Sequence, residues 1–188
     1  AGTAYLYMGT DLTTGFLNRR TQAGTWTEDA DVRAKHIVAA AGALWRTTSD
    51  YQCSKCRAGS EPFTAGYWGS ALQVGTNEAK IVTGGAIGAA PIWFKEDGIY
   101  PYDEANARFE NQYRAPHHAD NFPFVKPDGK GGLYTALWDG TIVNIQLYGG
   151  VVRFKVTEGK ALGRDTPTGP IKDMEVWGDR VFALMDSC

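Results

Sequence analysis

Three groups of residues in this 188-residue chain have types and spacings that could do chemistry. Cys53-Ser54-Lys55-Cys56 is a CxxC. Such a pair is half of a tetrahedral zinc site, and Cys188 with His117 or His118 would have to complete it. The same spacing serves thiol–disulfide exchange when it opens a helix after a strand in an α/β fold. His117-His118-Ala119-Asp120 sets two imidazoles beside a carboxylate, which suits metal or acid–base chemistry. Carboxylates cluster at Asp29 with Asp31, Glu96 with Asp97, and Asp103 with Glu104. Two carboxylates facing each other across a cleft carry glycoside hydrolysis.

Each group also has a plainer reading. In an extended strand, residues three apart point to opposite faces, so Cys53 and Cys56 share a ligand only if a turn intervenes. Adjacent histidines in an extended loop point apart, and Pro116 marks that stretch as an exposed connection whose use would be ligand contact. Sequence neighbours on a turn do not face each other across a cleft. Asp97 and Asp139 sit in matching turns, where Asp accepts local backbone N–H groups. Arg19, Arg20, Arg33, Arg46 and Arg57 follow no spacing that would clamp an anion. There is no G-x-S-x-G, P-loop or dinucleotide fingerprint. No catalytic, cofactor-binding or metal residue is therefore assigned, and the reading is non-enzymatic. With three cysteines the chain is not a disulfide scaffold.

The elements that would position these residues read as strands. Twenty-three Gly and 12% aromatic residues alternate as turns and β-rich segments, an all-β signature. Helix candidates are few: Asp29 to Ala43 is the best, interrupted by Ile37-Val38 and Gly42, and Asp103 to Asn111 allows a short turn of helix. An aliphatic–aromatic pair recurs as Leu6-Tyr7, Leu44-Trp45, Ile92-Trp93, Leu133-Tyr134 and Val181-Phe182, at spacings of 38, 48, 41 and 48. Periods of ~40–50 residues belong to propellers of four-stranded blades. Upstream of four copies lies a second apolar segment: Ile37-Val38, Ile81-Val82, Phe122 to Val125, and Met174 to Val176. The intervening turns include Ala41-Gly42-Ala43, Pro127 to Gly132 and Gly178-Asp179-Arg180, and Thr13-Thr14-Gly15 is a turn after the first copy. Trp26, Trp68 and Phe109 stand before the next unit's first strand, which suits an outer strand packing on the following blade.

The spacing predicts a β-propeller of about four blades, with units near 1–30, 31–78, 79–118, 119–165 and 166–188. A β-sandwich with coincidental aromatic spacing is the alternative. The chain opens and closes on strand patterns and begins without Met, so a processed chain or a segment of a larger propeller is expected. Net charge is −2, which gives no support for nucleic-acid binding. No apolar run is long enough to cross a bilayer, and no signal peptide is visible. Most aromatics fall on the strand copies; Tyr51, Tyr67, Tyr102, Tyr113 and Tyr148 lie off the pattern and, with His117 and His118, are the candidates for ligand or partner contact.

Residues 37 to 185 resemble blades of large proteins encoded by tailed-phage and metagenomic virus genomes. The matching stretches are Trp68 to Gly75, Ile81 to Gly84, Ile92 to Tyr100, Ala119-Asp120-Asn121 and Gly132-Leu133-Tyr134. Phe122-Pro123 stands where that pattern has Gly-Lys. The resemblance implies a propeller in a virion or tail assembly, with other subunits or a host-surface glycan as partners. Without it, the location is extracellular or open. Thr21-Gln22-Ala23-Gly24-Thr25-Trp26 is similar to a degenerate Asp-box, a structural turn of sialidase-type propellers, with the Asp missing. The functional expectation is a structural or binding module, with a lectin-like module as alternative and a glycoside hydrolase fragment behind it.

Overall fold

In the computed structural model the described residues are 5–8, 16–57, 65–149, 151–157, 170–177 and 180–185; the side chains of 5–8, 16, 29–31, 65 and 157 are outside that description. Cys188 and the turns at Thr13-Thr14-Gly15 and Gly178-Asp179 also lie outside it, as do the carboxylates of Asp29 and Asp31.

The described residues form antiparallel strands in five successive sheets, with no α-helix among them. The first sheet holds β1 (Tyr5–Met8), β2 (Phe16–Thr21) and β3 (Trp26–Arg33). The second holds β4 (Ile37–Ala40), β5 (Ala43–Thr47), β6 (Gln52–Lys55) and β7 (Leu72–Gln73), in that order. The third holds β8 (Ile81–Ile87), β9 (Ala90–Lys95) and β10 (Gly98–Asp103), with β11 (Arg108–Phe109) and β12 (Tyr113–Arg114) both paired to β10. The fourth holds β13 (Lys126–Pro127), β14 (Leu133–Ala136), β15 (Ile142–Tyr148) and β16 (Val151–Thr157). The fifth holds β17 (Ile171–Trp177) and β18 (Arg180–Met185). The helix candidate at 29–43 is thus the end of β3, then β4 and the turn into β5. Residues 104–107 make turns with no helix.

Successive sheets are joined by a core at each junction. Leu17 and Val32 meet Cys56 and Trp68 between the first and second sheets. Val38, Trp45 and Cys53 meet Ile81, Trp93 and Tyr100 between the second and third. Ile92, Phe94 and Ile99 meet Phe122, Val143 and Ile145 between the third and fourth. Ala136 and Ile142 meet Ile171 and Met174 between the fourth and fifth. The residue pattern follows from this stacking. β9 reads Pro-Ile-Trp-Phe-Lys without alternation because its sheet is covered on both faces: Trp93 enters one core, Ile92 and Phe94 the other. β18 alternates because only its Val181, Ala183 and Met185 face is covered.

Gly84, paired with Trp93, permits the close approach of the second and third sheets, since a Cβ there would collide with the Trp93 ring and Val38. The β4–β5 turn is the two residues Ala41 (φ 51°) and Gly42 (φ 69°), both left-handed as a tight hairpin turn requires.

The interface aromatics behave differently from the sequence expectation. Trp68 packs back on the first sheet, and Phe109 packs back on Trp45 of the second, so both cover the preceding sheet and not the following one. Trp26 is 45% exposed. Phe122 to Val125 is also not a strand; the first strand of the fourth sheet is β13, and Phe122 sits buried in a left-handed turn at φ 55°.

Candidate functional site

The side chains able to do chemistry gather where the β9–β10 turn, the β14–β15 turn and the connection from β12 to β13 meet. Asn121, fully buried, is the hub. Its Nδ2 donates to the carbonyls of Glu96 (2.8 Å) and Pro116 (2.7 Å), and its Oδ1 accepts from the Trp138 N–H (3.2 Å). Its own N–H donates to the His118 carbonyl, while the neighbouring Phe122 N–H donates to Ala136. Three chain segments are thereby tied to one amide, and the left-handed Phe122 is held by the core beneath it.

On this base stand the two histidines. Nε2 of His117 lies 3.0 Å from Oε2 of Glu96. The His118 ring lies 4.8 Å from that of Trp138, inclined by 18°, a parallel stack, and its Nδ1 accepts from the Asp120 N–H. The two imidazoles therefore do point apart. Burial raises the Glu96 pKa, but the Lys80 N–H and His117 outweigh it and hold the carboxyl below its ordinary value.

Next to this face, Gly75, Asp97, Tyr100, Asn111 and Arg114 line an open cleft of about 420 Å³. The Tyr100 hydroxyl donates to Asp97 Oδ2 (2.9 Å) and accepts from Asn111 Nδ2 (3.1 Å). Burial, reinforced by Asp97, pushes the Tyr100 pKa up to about 12, so this phenol stays protonated. Asp97 Oδ1 and Asn111 Oδ1 are buried without a hydrogen-bond partner. Asp97 thus serves Tyr100 and not its own turn, unlike Asp139, which accepts from the Thr141 N–H as its sequence setting suggested. Neither Tyr100 nor Asn111 stands out from the sequence pattern; only the fold brings them to Asp97.

Beneath the cleft, Lys95 is fully buried. Its Nζ donates to the carbonyls of Val74 (2.6 Å) and Thr76 (2.5 Å) and lies 5.1 Å from the Tyr100 ring centre. Burial lowers its pKa, and Asp97 and Glu96 oppose that shift.

The other candidates scatter. Tyr102 is half-buried between Trp45 (4.9 Å) and Phe109 (5.0 Å), and Tyr113 is half-buried against Phe154 (5.4 Å). Both complete inter-sheet cores and do not stand free. Tyr51 is half-buried in the β5–β6 turn, where its carbonyl accepts from the Val74 N–H. Tyr67 is exposed in a single 3₁₀ turn, and Tyr148, at 74% exposure, is freely accessible.

Cys53 and Cys56 face different cores, the first toward the third sheet and the second toward the first. They therefore cannot ligate one ion together. Burial pushes the Cys53 thiol up to about 12. Among the described residues no group of three His, Cys, Asp or Glu side chains could hold a metal, and no helix is long and apolar enough to cross a membrane. The Thr21–Trp26 stretch is the β2–β3 hairpin turn, closed by Thr25 N–H to Thr21 Oγ1 with Gly24 at φ 94°.

No family model and no curated protein matches the chain.

A second surface sets exposed apolar side chains among the charged Asp173, Glu175 and Arg180 that pair with them across the strands. Trp177 (74% exposed), Phe182 (52%) and Leu184 (64%) lie on the uncovered side of β17 and β18. Among the described residues β18 pairs only with β17.

Proposed function

We propose that the protein is a non-enzymatic binding module whose stacked sheets are blades of a β-propeller and whose work is to join other protein subunits. Four-stranded antiparallel meanders and a core at each sheet junction support the propeller reading. The observation that carries the binding function is the exposure of Trp177, Phe182 and Leu184 together on the outer face of β17–β18. At the junctions between the described sheets apolar residues of facing surfaces meet in a core, and exposed Trp, Phe and Leu on a sheet face mark a contact surface. The resemblance of residues 37 to 185 to phage blades makes a virion or tail assembly the setting.

Size-exclusion chromatography with light scattering tests this. The expected result is a particle heavier than the 20.5 kDa chain, reduced to a monomer by Phe182→Glu with Leu184→Glu. A monomer at every concentration, unchanged by that double substitution, overturns the reading.

Carbohydrate binding is the second reading. The parallel His118–Trp138 stack, with Trp138 42% exposed and the Asp120 carboxylate 3.8 Å from His118 Nδ1, is the observation that favours it.

A further inference from the structure

The fourth sheet carries a built polar groove on the face that it turns toward the fifth. Strand alternation places Ala136 and Ile142 of that face in the core under β17 and β18, and Tyr134 and Asn144 two residues further along. There the covering stops, leaving a groove of about 300 Å³ between Tyr134, Asn144, Gln146, Tyr148, Arg153 and Lys155.

The register lines these residues up in rows. Tyr134 pairs with Asn144 and Asn144 with Lys155; in the next row Gln146 pairs with Arg153. Directly paired residues on one face are close enough to act on one ligand. Arg153 and Lys155 are two apart on β16, so their stems are roughly 7 Å apart. Both are exposed, and neither pairs with a carboxylate among the described residues.

The amides are oriented from below. The buried Asp128 accepts from the N–H groups of Lys130 and Gly132 through Oδ1, and from Gln146 Nε2 (3.4 Å) through Oδ2. Burial opposes its ionisation, but these bonds and one from Asn144 win and keep it charged below its ordinary pKa. Asn144 Nδ2 also donates to the Leu133 carbonyl (3.1 Å). With both amide nitrogens engaged, the amide oxygens are left to accept from a ligand. Gly132 is required here, because a Cβ would collide with the Asp128 carboxylate.

We infer that this groove binds an acidic saccharide. Arg153 and Lys155 hold its carboxylate. The oxygens of Asn144 and Gln146 accept from its hydroxyls, and the exposed Tyr148 ring stacks on the pyranose. Other anions fit less well. Among the described residues β16 ends its sheet, and a peptide strand added there would use the main-chain groups of that edge and not the side chains on the face that line the groove. A nucleic acid would need a long cationic track, and the chain carries net charge −2. The inference deepens the carbohydrate reading at a different place, and it is independent of the assembly reading.

Isothermal titration with sialyllactose and with trigalacturonic acid tests it, using lactose and a short oligonucleotide as comparisons. Saturable binding to at least one acidic sugar is expected, at least tenfold tighter than to lactose. Arg153→Gln and Tyr148→Ala should each weaken it about tenfold while the melting temperature holds, since both side chains are exposed. Phe182→Glu with Leu184→Glu should leave it unchanged, so loss of assembly and loss of sugar binding read out separately. No binding to either acidic sugar, equal binding of lactose, tighter binding of the oligonucleotide, or indifference to Arg153→Gln overturns the inference.

Discussion

The Lys95 ammonium lies 2.6 Å from the Val74 carbonyl oxygen and ties β9 of the third sheet to the connection leaving the second. Thr76 supplies a second carbonyl acceptor and the Tyr100 face a third contact, so a fully buried cation is satisfied by dipoles without a direct ion pair. Lys95→Met keeps much of the volume and removes the donor, leaving the Val74 and Thr76 carbonyls unsatisfied. The expected loss is about 2–3 kcal/mol. In a chain of this size that lowers the melting temperature by roughly 5–10 °C, readable by calorimetry. A melting temperature within a degree of the parent would show that the clamp is dispensable.

His36 supplies a pH dependence. Burial, with the charge of Lys35 second, lowers its pKa to about 4, and its Nε2 is buried without a partner. Its ordinary value is 6.5. Between these values the unfolded chain binds the proton and the folded chain does not, so stability falls as pH drops from 6.5 toward 4. The loss reaches up to about 3 kcal/mol from this group. Glu96 and Asp128, with lowered values, add their own loss only below the ordinary carboxylate range. Urea unfolding at pH 6.5, 5.5 and 4.5 checks this: His36→Phe should flatten the upper part of the curve, and an unchanged slope would assign it elsewhere.

Phe122 combines strain with burial. A left-handed φ of 55° costs a non-glycine residue about 1 kcal/mol. Its ring is fully buried beside Phe94 at 5.7 Å, and removing a buried Phe ring costs roughly 3–5 kcal/mol. The larger effect decides the sign: Phe122→Gly relieves the backbone and still destabilises by about 2–4 kcal/mol. A variant as stable as the parent would mean that the loop closes over the lost ring.

The strands were legible in the sequence because Trp45 and Trp93, on the second strands of the second and third sheets, point inward, and tight turns need left-handed glycines such as Gly42 and Gly140; the matching Phe182 of β18 instead stands exposed on the uncovered face. The conformation of Phe122 was not legible: a large aromatic in the sequence does not announce the left-handed backbone that glycine adopts freely and that Phe122 holds here. The polar groups were not legible. Tyr100 with Asn111, Lys95 with Val74, and Asn144 with Lys155 are joined by strand pairing and sheet stacking between residues 11 to 21 apart, and no local pattern announces such pairs. Tyr102 and Tyr113 lay off the repeat and looked free, yet the extra pairings of β11 and β12 with β10 fold both into cores.

Cys53 and Cys56 yield a last test, because their separation onto two faces of one sheet fixes how they react. The Cys53 thiol, held near 12 by burial, has a negligible thiolate fraction at pH 8. Cys56 is 2% exposed in the opposite core. Iodoacetamide should therefore label neither in the native chain. Labelling should rise together at both positions through the urea unfolding transition, because opening one core exposes one cysteine and global unfolding exposes both. Mass spectrometry of the peptides that carry each residue reads this directly. Fast native labelling of Cys56 alone would show that the junction between the first and second sheets opens independently. Equal fast labelling of both, or protection of both by zinc, would contradict the opposed orientation.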